Sequence, residues 1–545
     1  MASPSIDNAA LQTAASSTRD DTVRDMTLGG LLREAAAVSG ERIALVSGVA
    51  DPAQRHRWTY AELLEIAEKR RARPPRPVPA RRSYRDLRPP NCPEWVMLQH
   101  GVALAGMVLV PANPAYREAE MAAILEDCGA VALFHSGTWR GSDIAAMADA
   151  IRSARLPGLA TIALADWSQF LASDSAAATL PVVSPDAPLL VQFTSGTTGR
   201  PKGAVLHHRG AINPPRYVAE RIGFRRYGVW LNAMPMCHVG GSVLTSMATL
   251  SQHGAYVLMP EWDPALTLEL TQAERCNAML LVPTMILALL DHPDCARFDL
   301  SSIEVLLTGA APVPPALFDR VAQRIGCRMM ITFGQTEASG TVSTTAIGDG
   351  AQELAHTLGR ALPNVEIAIR DPETGAPLPT GATGEIWFRG YQTMIGYFGR
   401  EAETTSVLTP EGWLRSGDLG TLDARGYLSI SGRLKDMIIR GGMNIYPREI
   451  EDALFDHPAV AQAAVIGLPD ERWGEVVLAV VQPAEGHALS FEALHQFCRD
   501  RLAPHKTPAL WCETRDFPLT SSGKIQKFAL SDWLREGRLI PRPAR

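Results

Sequence analysis

The chain has 545 residues, of which 46% are apolar, and its formal charge is −6 at pH 7. A net negative charge does not predict binding to nucleic acid. The sequence contains no run of about 18 apolar residues, so it predicts no membrane span. Because one hydrophobic core rarely grows beyond about 250–300 residues, the length predicts more than one domain.

The eight cysteines are scattered and form no CxxC pair. They predict neither a zinc site nor a disulfide framework, and they fit a reducing compartment. Residues 1–25 are rich in Ser, Ala and Asp and lack the apolar core of a secretory signal. We therefore expect a disordered leader and a cytoplasmic location.

The first predicted elements are a helix from Leu28 and a strand over residues 42–46. A second helix follows, for which Thr59 and Glu62 have the spacing of a capping box. These elements predict the start of an α/β domain.

The segment 69–90 breaks this pattern, since arginine and proline dominate it. The prolines exclude a helix, and the few large apolar residues predict no buried strand. Three explanations stay open: a solvated basic loop that contacts an acidic partner, a natural replacement, or a local frameshift. We favour the frameshift because the ordinary helical pattern resumes directly afterwards. If the segment is natural, the first sheet is expected to lack a strand.

From residue 99 onward, apolar strand-like runs alternate with helical patterns, which predicts α/β architecture with largely parallel sheets. After Pro363 the strands become shorter and Gly/Pro-punctuated, and they predict a small β-barrel-like unit. A compact α+β segment follows Arg433. We expect a large N-terminal domain over residues 26–432, a hinge at 433–436 and a small mobile C-terminal domain over 437–545.

A polar loop follows the apolar strand predicted over residues 189–193. Its glycines let backbone N–H groups approach phosphate oxygens, and its hydroxyls and lysine add donors and positive charge. It is not a GxxxxGK[ST] loop, because Arg200 and Pro201 separate the second glycine from the lysine. A solvated loop is the alternative to a polyphosphate site. The residues that carry the prediction are Thr194, Ser195, Gly196, Thr197, Thr198, Gly199 and Lys202.

Further motifs predict nucleotide contacts at the ends of strands. Glu337, beside the hydroxyl of Thr336, suits Mg²⁺ on a nucleotide phosphate, since hard cations prefer oxygen ligands. Asp418 in a tight turn can accept both ribose hydroxyls, although an ordinary Asx turn is equally compatible. The Phe333 ring is expected to stack on adenine, and the other residues predicted to border the nucleotide are small: Gly309, Ala310, Ala311 and Gly334.

Residues 194–203 read Thr-Ser-Gly-Thr-Thr-Gly-Arg-Pro-Lys-Gly and resemble the phosphate loop of the acyl-adenylate-forming superfamily. The segments 332–337, 413–420, 431–451 and 520–527 resemble further motifs of that superfamily, in its order. The residues around His238, at 334–340 and at 441–451 are most similar to those of medium- and long-chain fatty-acyl-CoA synthetases. Where the superfamily usually has tyrosine, this chain has Phe333.

The resemblance implies roles for particular residues. Lys524 would act in catalysis with Glu337 and Thr198, and the last two would also hold Mg²⁺. Arg433 would contact ribose or phosphate, and Lys435 would be the hinge. The other implied positions are the pantetheine-lining Gly441 and Gly442 and the acyl-pocket residues His238, Gly240 and Gly241. Since a lone histidine is more often structural, His238 is interpreted as a pocket wall or gate.

The resemblance implies a two-step ligase that uses ATP, Mg²⁺ and coenzyme A to convert a fatty acid to its acyl-CoA, releasing AMP and diphosphate. The length of the acyl chain, and whether it is alkyl or aryl, stay open. Two alternatives also remain: an adenylating enzyme that loads a separate carrier protein, and an inactive nucleotide-binding homologue damaged at residues 69–90.

Overall fold

The computed structural model describes residues 22–69, 84–87, 91–172, 180–194, 201–311, 313–519 and 525–544, with the backbone alone for 84–87. The helices are α1 (Leu28–Ser39), α2 (Tyr60–Lys69), α3 (Pro93–Leu104), α4 (Glu118–Cys128), α5 (Ile144–Ala154), α6 (Trp167–Ala172), α7 (His208–Arg221), α8 (Ser246–Ser251), α9 (Pro264–Glu274), α10 (Pro283–Leu290), α11 (Pro315–Arg324), α12 (Ala351–His356), α13 (Glu401–Val407), α14 (Pro447–Phe455), α15 (Phe491–Arg499) and α16 (Lys527–Arg535).

The strands alternate with these helices as far as residue 333 and then become more closely spaced. They are β1 (Ile43–Ser47), β2 (Arg57–Thr59), β3 (Tyr84–Leu87), β4 (Val108–Pro111), β5 (Ala130–His135), β6 (Thr138–Trp139), β7 (Ser142–Asp143), β8 (Ala160–Ala163), β9 (Pro188–Thr194), β10 (Lys202–His207), β11 (Val229–Asn232), β12 (Ala255–Leu258), β13 (Ala278–Leu280), β14 (Val305–Gly309), β15 (Arg328–Phe333), β16 (Ser343–Thr344), β17 (Arg360–Ala361), β18 (Val365–Arg370), β19 (Gly384–Gly390), β20 (Gly396–Tyr397), β21 (Leu414–Leu422), β22 (Leu428–Arg433), β23 (Ile438–Arg440), β24 (Met443–Ile445), β25 (Val460–Asp470), β26 (Gly474–Pro483), β27 (Leu510–Glu513) and β28 (Arg542–Pro543).

The largest sheet has the strand order β17-β16-β15-β14-β13-β11-β12-β1-β2. Its central strands run parallel, from β1 through β12, β11, β13 and β14 to β15. Antiparallel strands close both edges. Helices connect the parallel strands, and their apolar faces pack on the sheet, as the alternating sequence pattern predicted.

The second sheet has the order β20-β10-β9-β4-β3-β5-β8 and corrects one expectation. β3 lies within the segment 69–90 and pairs in parallel with both β4 and β5. The prediction that this segment forms no strand is therefore wrong at residues 84–87. Its backbone groups pair with apolar strands on both sides, so the pairing does not depend on a strand-like sequence. Residues 70–83 and 88–90 lie outside the described residues.

The predicted small β unit after Pro363 is an antiparallel sheet of order β18-β19-β21-β22. Its strands have 6, 7, 9 and 6 residues, so the prediction of shorter strands is wrong. β18 and β22 lie at opposite edges of the sheet, which is therefore open and not barrel-like. Since β22 ends at Arg433, this sheet leads directly into the predicted hinge.

The C-terminal segment has a sheet of its own, in which β25 and β27 flank β26. Its buried apolar residues form two clusters drawn entirely from residues 438–544. A separate core supports the predicted small domain. Pro469 and Asp470 end β25, and a turn follows at 471–473. The carboxylate of Asp470 caps it by accepting the N–H groups of Arg472 and Trp473.

The predicted capping box before α2 is confirmed. The Glu62 carboxylate accepts the Thr59 N–H at 2.7 Å, and the Thr59 hydroxyl accepts the Glu62 N–H at 3.2 Å. Across the described residues, no helix has the length and apolar character needed to cross a membrane.

Candidate active site

The predicted phosphate loop joins two antiparallel strands. Thr194 ends β9 and Lys202 begins β10, and the two residues are directly paired in register. The predicted loop residues Ser195, Gly196, Thr197, Thr198 and Gly199 lie outside the described residues. The loop is therefore anchored at both ends by a hairpin whose strands are buried in the second sheet.

Glu337 lies in a single 3-10 turn, Thr336–Ala338, shortly after the buried strand β15. The Tyr397 hydroxyl donates a hydrogen bond of 2.7 Å to Glu337 Oε1. Burial and the nearby Glu337 charge raise the pKa of Tyr397, so its hydroxyl stays protonated and the carboxylate is the acceptor. This contact fixes one oxygen of the predicted metal ligand.

Tyr397 also contacts Lys202, the described residue at the end of the predicted phosphate loop. The Lys202 Nζ atom lies 5.3 Å from the centroid of the Tyr397 ring, within the range of a cation–π contact. Tyr397 is on β20, which pairs with β10 at Ala204. The structure thus brings together two predicted residues, Lys202 and Glu337, through a tyrosine that the sequence analysis did not identify.

The glycines predicted to admit a ligand have packing roles. A Cβ atom at Gly309 would lie 2.4 Å from the Thr332 carbonyl oxygen, and one at Gly334 would lie 2.4 Å from that of Gly340. Both positions therefore require glycine for close approach of the backbone. Ala310 has a positive φ of 65° at the exposed end of β14, which is a strained conformation for alanine. Ala311 follows it.

Phe333 is the last residue of β15, and only 9% of its surface is exposed. Its side chain packs in the main core of the large domain. This burial argues against the predicted stacking of the Phe333 ring on adenine.

Asp418 and Arg433 face each other on the neighbouring strands β21 and β22. The Arg433 Nε atom lies 3.3 Å from Asp418 Oδ1, and the Asp418 N–H donates to the Ser416 hydroxyl at 3.0 Å. Asp418 is 7% exposed, whereas the Arg433 side chain is half exposed. A guanidinium held beside a nearly buried carboxylate suits a group that contacts both, such as a ribose phosphate.

Ser416 and Gly417 form a bulge inside β21, with a φ of 70° at Gly417, so Asp418 lies within a strand and not in the tight turn predicted for it. This bulge is called the turn before Asp418 below, and a buried glutamate that the sequence analysis missed holds it. The Glu385 carboxylate accepts hydrogen bonds from the Arg415 guanidinium at 2.9 Å, the Gly417 N–H at 3.1 Å and the Trp387 indole at 2.9 Å. Glu385 is 2% exposed. An acidic residue within the apolar run of β19 was the signal that could have indicated its role.

Glu337 and the turn before Asp418 border one cavity of about 260 Å³. Its other walls come from β20, α13 and β21. The residues that line it are Gln335, Glu337, Glu385, Tyr397, Ser406, Val407, Leu414, Arg415, Ser416 and Gly417. The motifs predicted for metal and for ribose therefore converge in space, although they are far apart in the sequence.

Gly441 and Gly442 form the turn of the hairpin β23–β24, with φ values of 59° and 79°. The Gly441 N–H donates to the Trp473 carbonyl at 2.7 Å, and a Cβ atom at Gly441 would lie 3.0 Å from the Trp473 ring. Trp473 is 41% exposed, and the guanidinium of Arg472 lies 4.9 Å from its ring centroid. The hairpin thus presents bare backbone, an aromatic face and positive charge to solvent.

Lys435 is exposed in the turn Leu434–Asp436, which links β22 of the large domain to β23. Lys524 lies outside the described residues. Just beyond it, Lys527 Nζ contacts Glu451 Oε1 at 2.6 Å, and that carboxylate also accepts the Val465 N–H. This ion pair fixes the chain shortly after Lys524 to α14 of the small domain.

His238 lies in the turn before a π-helical segment, Gly240–Thr245, and its carbonyl accepts the Ser242 hydroxyl. Such segments are frequent at functional sites. A Cβ atom at Gly241 would lie 2.6 Å from the Pro235 carbonyl oxygen, so this glycine is needed for packing. A Cβ atom at Gly240 would have its nearest neighbours at 3.7 Å, which is ordinary van der Waals contact. Of these two glycines, Gly240 is therefore the one that leaves space for a ligand.

Comparison with known proteins identifies the family. The model of the AMP-binding enzyme family matches residues 87–398, and that of the AMP-binding enzyme C-terminal domain matches residues 449–524. The chain belongs to the AMP-binding enzyme family. The first match begins at the end of the arginine- and proline-rich segment, within β3.

Members of this family with similar sequences are named as acyl-CoA ligases. The chain is 36% identical to the mitochondrial medium-chain acyl-CoA ligase ACSF2 of Danio rerio over 480 residues, covering 81% of this chain and 78% of that protein. It is 33% identical to the putative acyl-CoA synthetase YngI of Bacillus subtilis (strain 168) over 534 residues, covering 93% and 96%. The predicted family and its enzyme class, AMP-forming acid–CoA ligase, are confirmed.

The fold agrees with that of a solved ATP-bound protein. ATP-bound MatB from Rhodopseudomonas palustris superposes with a TM-score of 0.82 at 27% identity, covering 93% of this chain and 99% of that chain. The predicted α/β fold with a large N-terminal and a small C-terminal domain is confirmed.

Proposed function

We propose that this acid–CoA ligase acts on medium- or long-chain fatty acids, with Mg·ATP as the adenylating substrate. The observation that carries the proposal is the shared cavity, which Glu337 borders on one side and the turn before Asp418 on the other. The ACSF2 relative, which is named a medium-chain acyl-CoA ligase, supports a medium-chain substrate, and the motif around His238 supports a fatty acid. The free cysteines of the described residues fit the cytoplasm.

In the first step, the fatty carboxylate attacks the α-phosphorus of ATP, diphosphate leaves, and the acyl-adenylate stays bound. Lys202 and the loop that begins at Thr194 hold the β- and γ-phosphates. Asp418 accepts the ribose hydroxyls while Arg433 adds positive charge beside them. Lys524 bridges the carboxylate and the α-phosphate, where it stabilises the charge that develops in the transition state.

Glu337 is the described residue that suits Mg²⁺, with Thr198 as its proposed partner in the loop. The Glu337 carboxylate is fixed by Tyr397, and carboxylate and phosphate oxygens are the ligands that Mg²⁺ prefers. Among the described residues, no group of three or more His, Cys, Asp or Glu side chains is placed to hold a metal. This agrees with an ion held mainly by nucleotide phosphates. Bound there, Mg²⁺ would neutralise charge on the leaving diphosphate.

In the second step, the small domain turns about Lys435, withdraws Lys524 and presents the hairpin at Gly441 and Gly442. The thiol of coenzyme A then attacks the acyl carbonyl and AMP leaves. Trp473 and Arg472 beside the hairpin offer an aromatic face and a positive charge to the coenzyme.

The proposal is tested by carboxylate-dependent exchange of diphosphate into ATP, over a panel of fatty and aryl acids, with and without coenzyme A. Exchange that peaks with medium or long fatty acids, followed by thioester formation, supports it. Exchange with aryl acids alone overturns the substrate class. Exchange without thioester favours carrier loading, and no exchange by folded protein favours the inactive homologue.

Two lysine variants test whether Lys524 acts in the first step alone. Lys524→Ala is expected to abolish exchange but to spare thioester formation from preformed acyl-adenylate. Lys506→Ala is the matched control, because Lys506 contacts Glu449 within the small domain at 2.7 Å. Equal damage to both steps by Lys524→Ala contradicts the proposed role.

A further inference from the structure

Tyr397 contacts two residues of the phosphate site with different parts of its side chain. Its hydroxyl donates to Glu337 Oε1 at 2.7 Å. Its ring faces Lys202, whose Nζ atom lies 5.3 Å from the centroid. The side chain therefore contacts both the carboxylate and the ammonium.

Backbone hydrogen bonds hold Tyr397 in this place. The Ile395 N–H donates to the Val205 carbonyl at 2.9 Å, and the Phe398 N–H donates to the Gly203 carbonyl at 2.7 Å. The Met394 N–H donates to the carbonyl of Glu337 itself at 2.8 Å. The segment that carries Tyr397 is thus tied both to the strand after the phosphate loop and to the turn that carries Glu337.

We propose that Tyr397 is a positioning residue, which holds the Glu337 carboxylate for the metal of Mg·ATP and keeps Lys202 directed at the phosphates. This inference rests on the proposed function. The tyrosine fixes one carboxylate oxygen and leaves the other for the cation. Its ring also holds the Lys202 ammonium by a cation–π contact, which keeps that charge beside the predicted phosphate site.

The first test removes the hydroxyl alone. Tyr397→Phe is expected to raise the Mg²⁺ concentration for half-maximal diphosphate exchange by about tenfold, the usual effect of losing one hydrogen bond to a charged group. The maximal rate at saturating Mg²⁺ should change by less than about twofold, because no group that touches the reacting atoms is lost.

The matched control is Tyr427→Phe. The Tyr427 hydroxyl also donates to a carboxylate, Asp349 Oδ1, at 2.6 Å, but outside the cavity. This variant is expected to leave the Mg²⁺ dependence unchanged. An equal shift in both variants would show a general effect of hydroxyl loss and overturn the proposal.

A binding measurement separates positioning from damage to turnover. Mn²⁺ serves as the probe, detected by electron paramagnetic resonance in the presence of α,β-methylene-ATP, which cannot transfer its adenylyl group because a P–C bond replaces the P–O bond to the leaving diphosphate. Tyr397→Phe should raise the Kd for Mn²⁺ by about tenfold. In a Glu337→Gln background the same change should have no further effect, because the hydroxyl acts through that carboxylate.

The outcomes distinguish the inference from the proposed function. Wild-type exchange together with an unchanged Mn²⁺ affinity in Tyr397→Phe overturns the positioning role alone. Additive effects of Tyr397→Phe and Glu337→Gln also overturn it. Absence of exchange in the wild type overturns the proposed function, and the Mn²⁺ titration then still decides the role of Tyr397.

Discussion

Arg433 is paired in register with Asp418, and its Nε atom lies 3.3 Å from Asp418 Oδ1. The pair joins the last residue of the large domain's final strand to the turn proposed to hold ribose. Since β22 leads directly into the proposed hinge at Lys435, one residue separates the proposed nucleotide contact from that hinge. Loss of this arginine should therefore affect ATP more than the acyl substrate.

Arg433→Gln is expected to raise the KM for ATP by about tenfold to a hundredfold, because a charge-assisted contact is lost, and to leave the KM for the fatty acid nearly unchanged. Arg425→Gln is the control from the same hairpin, where Arg425 pairs with Asp423 at 3.2 Å on the surface. Steady-state kinetics of both variants decide the matter. A similar rise in both KM values for Arg433→Gln would contradict a nucleotide role.

Glu385→Gln is expected to destabilise the β unit by about 3 kcal/mol, since it leaves the Arg415 guanidinium without its buried charge partner. Glu366→Gln, which breaks the half-exposed pair with Arg389 in the same sheet, should cost less than about 1 kcal/mol. Urea denaturation measures both free energies of unfolding. Equal values for the two variants would show that burial of Glu385 contributes nothing.

Sequence patterns predicted candidate site residues where local signals carry the information. Glu337 follows an apolar strand, Asp418 lies beside a glycine turn, and the capping box at Thr59 needs only neighbouring residues. The sequence did not predict the roles of Tyr397 and Glu385, because those roles depend on which strands pair. The contact of Tyr397 with Glu337 joins residues 60 positions apart, and it exists only because β20 pairs with β10.

The strand β3 also could not be predicted from its own residues, because its pairing depends on other strands. Residues 84–87 have neighbours in a segment of arginine and proline, which predicts no strand. Their pairing comes from β4 and β5, two apolar strands supplied by later parts of the chain. Likewise the burial of Phe333 and the close approach at Gly334 are set by packing across the largest sheet, which a single strand's sequence does not reveal.

Trp473→Ala is expected to raise the KM for coenzyme A by about tenfold and to leave diphosphate exchange unchanged, since the tryptophan lies beside the hairpin proposed for the second step. Phe528→Ala is the control, because Phe528 is also exposed on the small domain, at 69%. Exchange and thioester assays on the same preparations compare them. Loss of exchange in Trp473→Ala would contradict a role confined to the second step.

Replacement by alanine should affect stability at Gly241 and substrate preference at Gly240. Gly241→Ala is expected to destabilise the large domain by about 1–3 kcal/mol, because the Cβ atom meets a backbone carbonyl at 2.6 Å. Gly240→Ala should keep the stability and shift the substrate profile toward shorter acids, since its Cβ atom fits between Leu280 and Met234. Thermal melts and exchange across fatty acids of increasing length measure these effects. An unchanged profile in Gly240→Ala would remove this glycine from the proposed acyl pocket.

Stability below neutral pH should depend on His100, which is 5% exposed in α3 and whose pKa burial lowers to about 4. An unfolded histidine titrates near pH 6.5, so between these values the unfolded chain binds more protons, and acid favours unfolding. The stabilisation is complete above about pH 6.5 and is lost as the pH falls to about 4. Replacing His100 by leucine should therefore reduce the loss of unfolding free energy between pH 7 and pH 5 by about 2 kcal/mol. Urea denaturation at both pH values measures this difference, with His487→Leu at an exposed position as the control. An identical pH dependence in the wild type and His100→Leu would show that the buried imidazole does not govern acid stability.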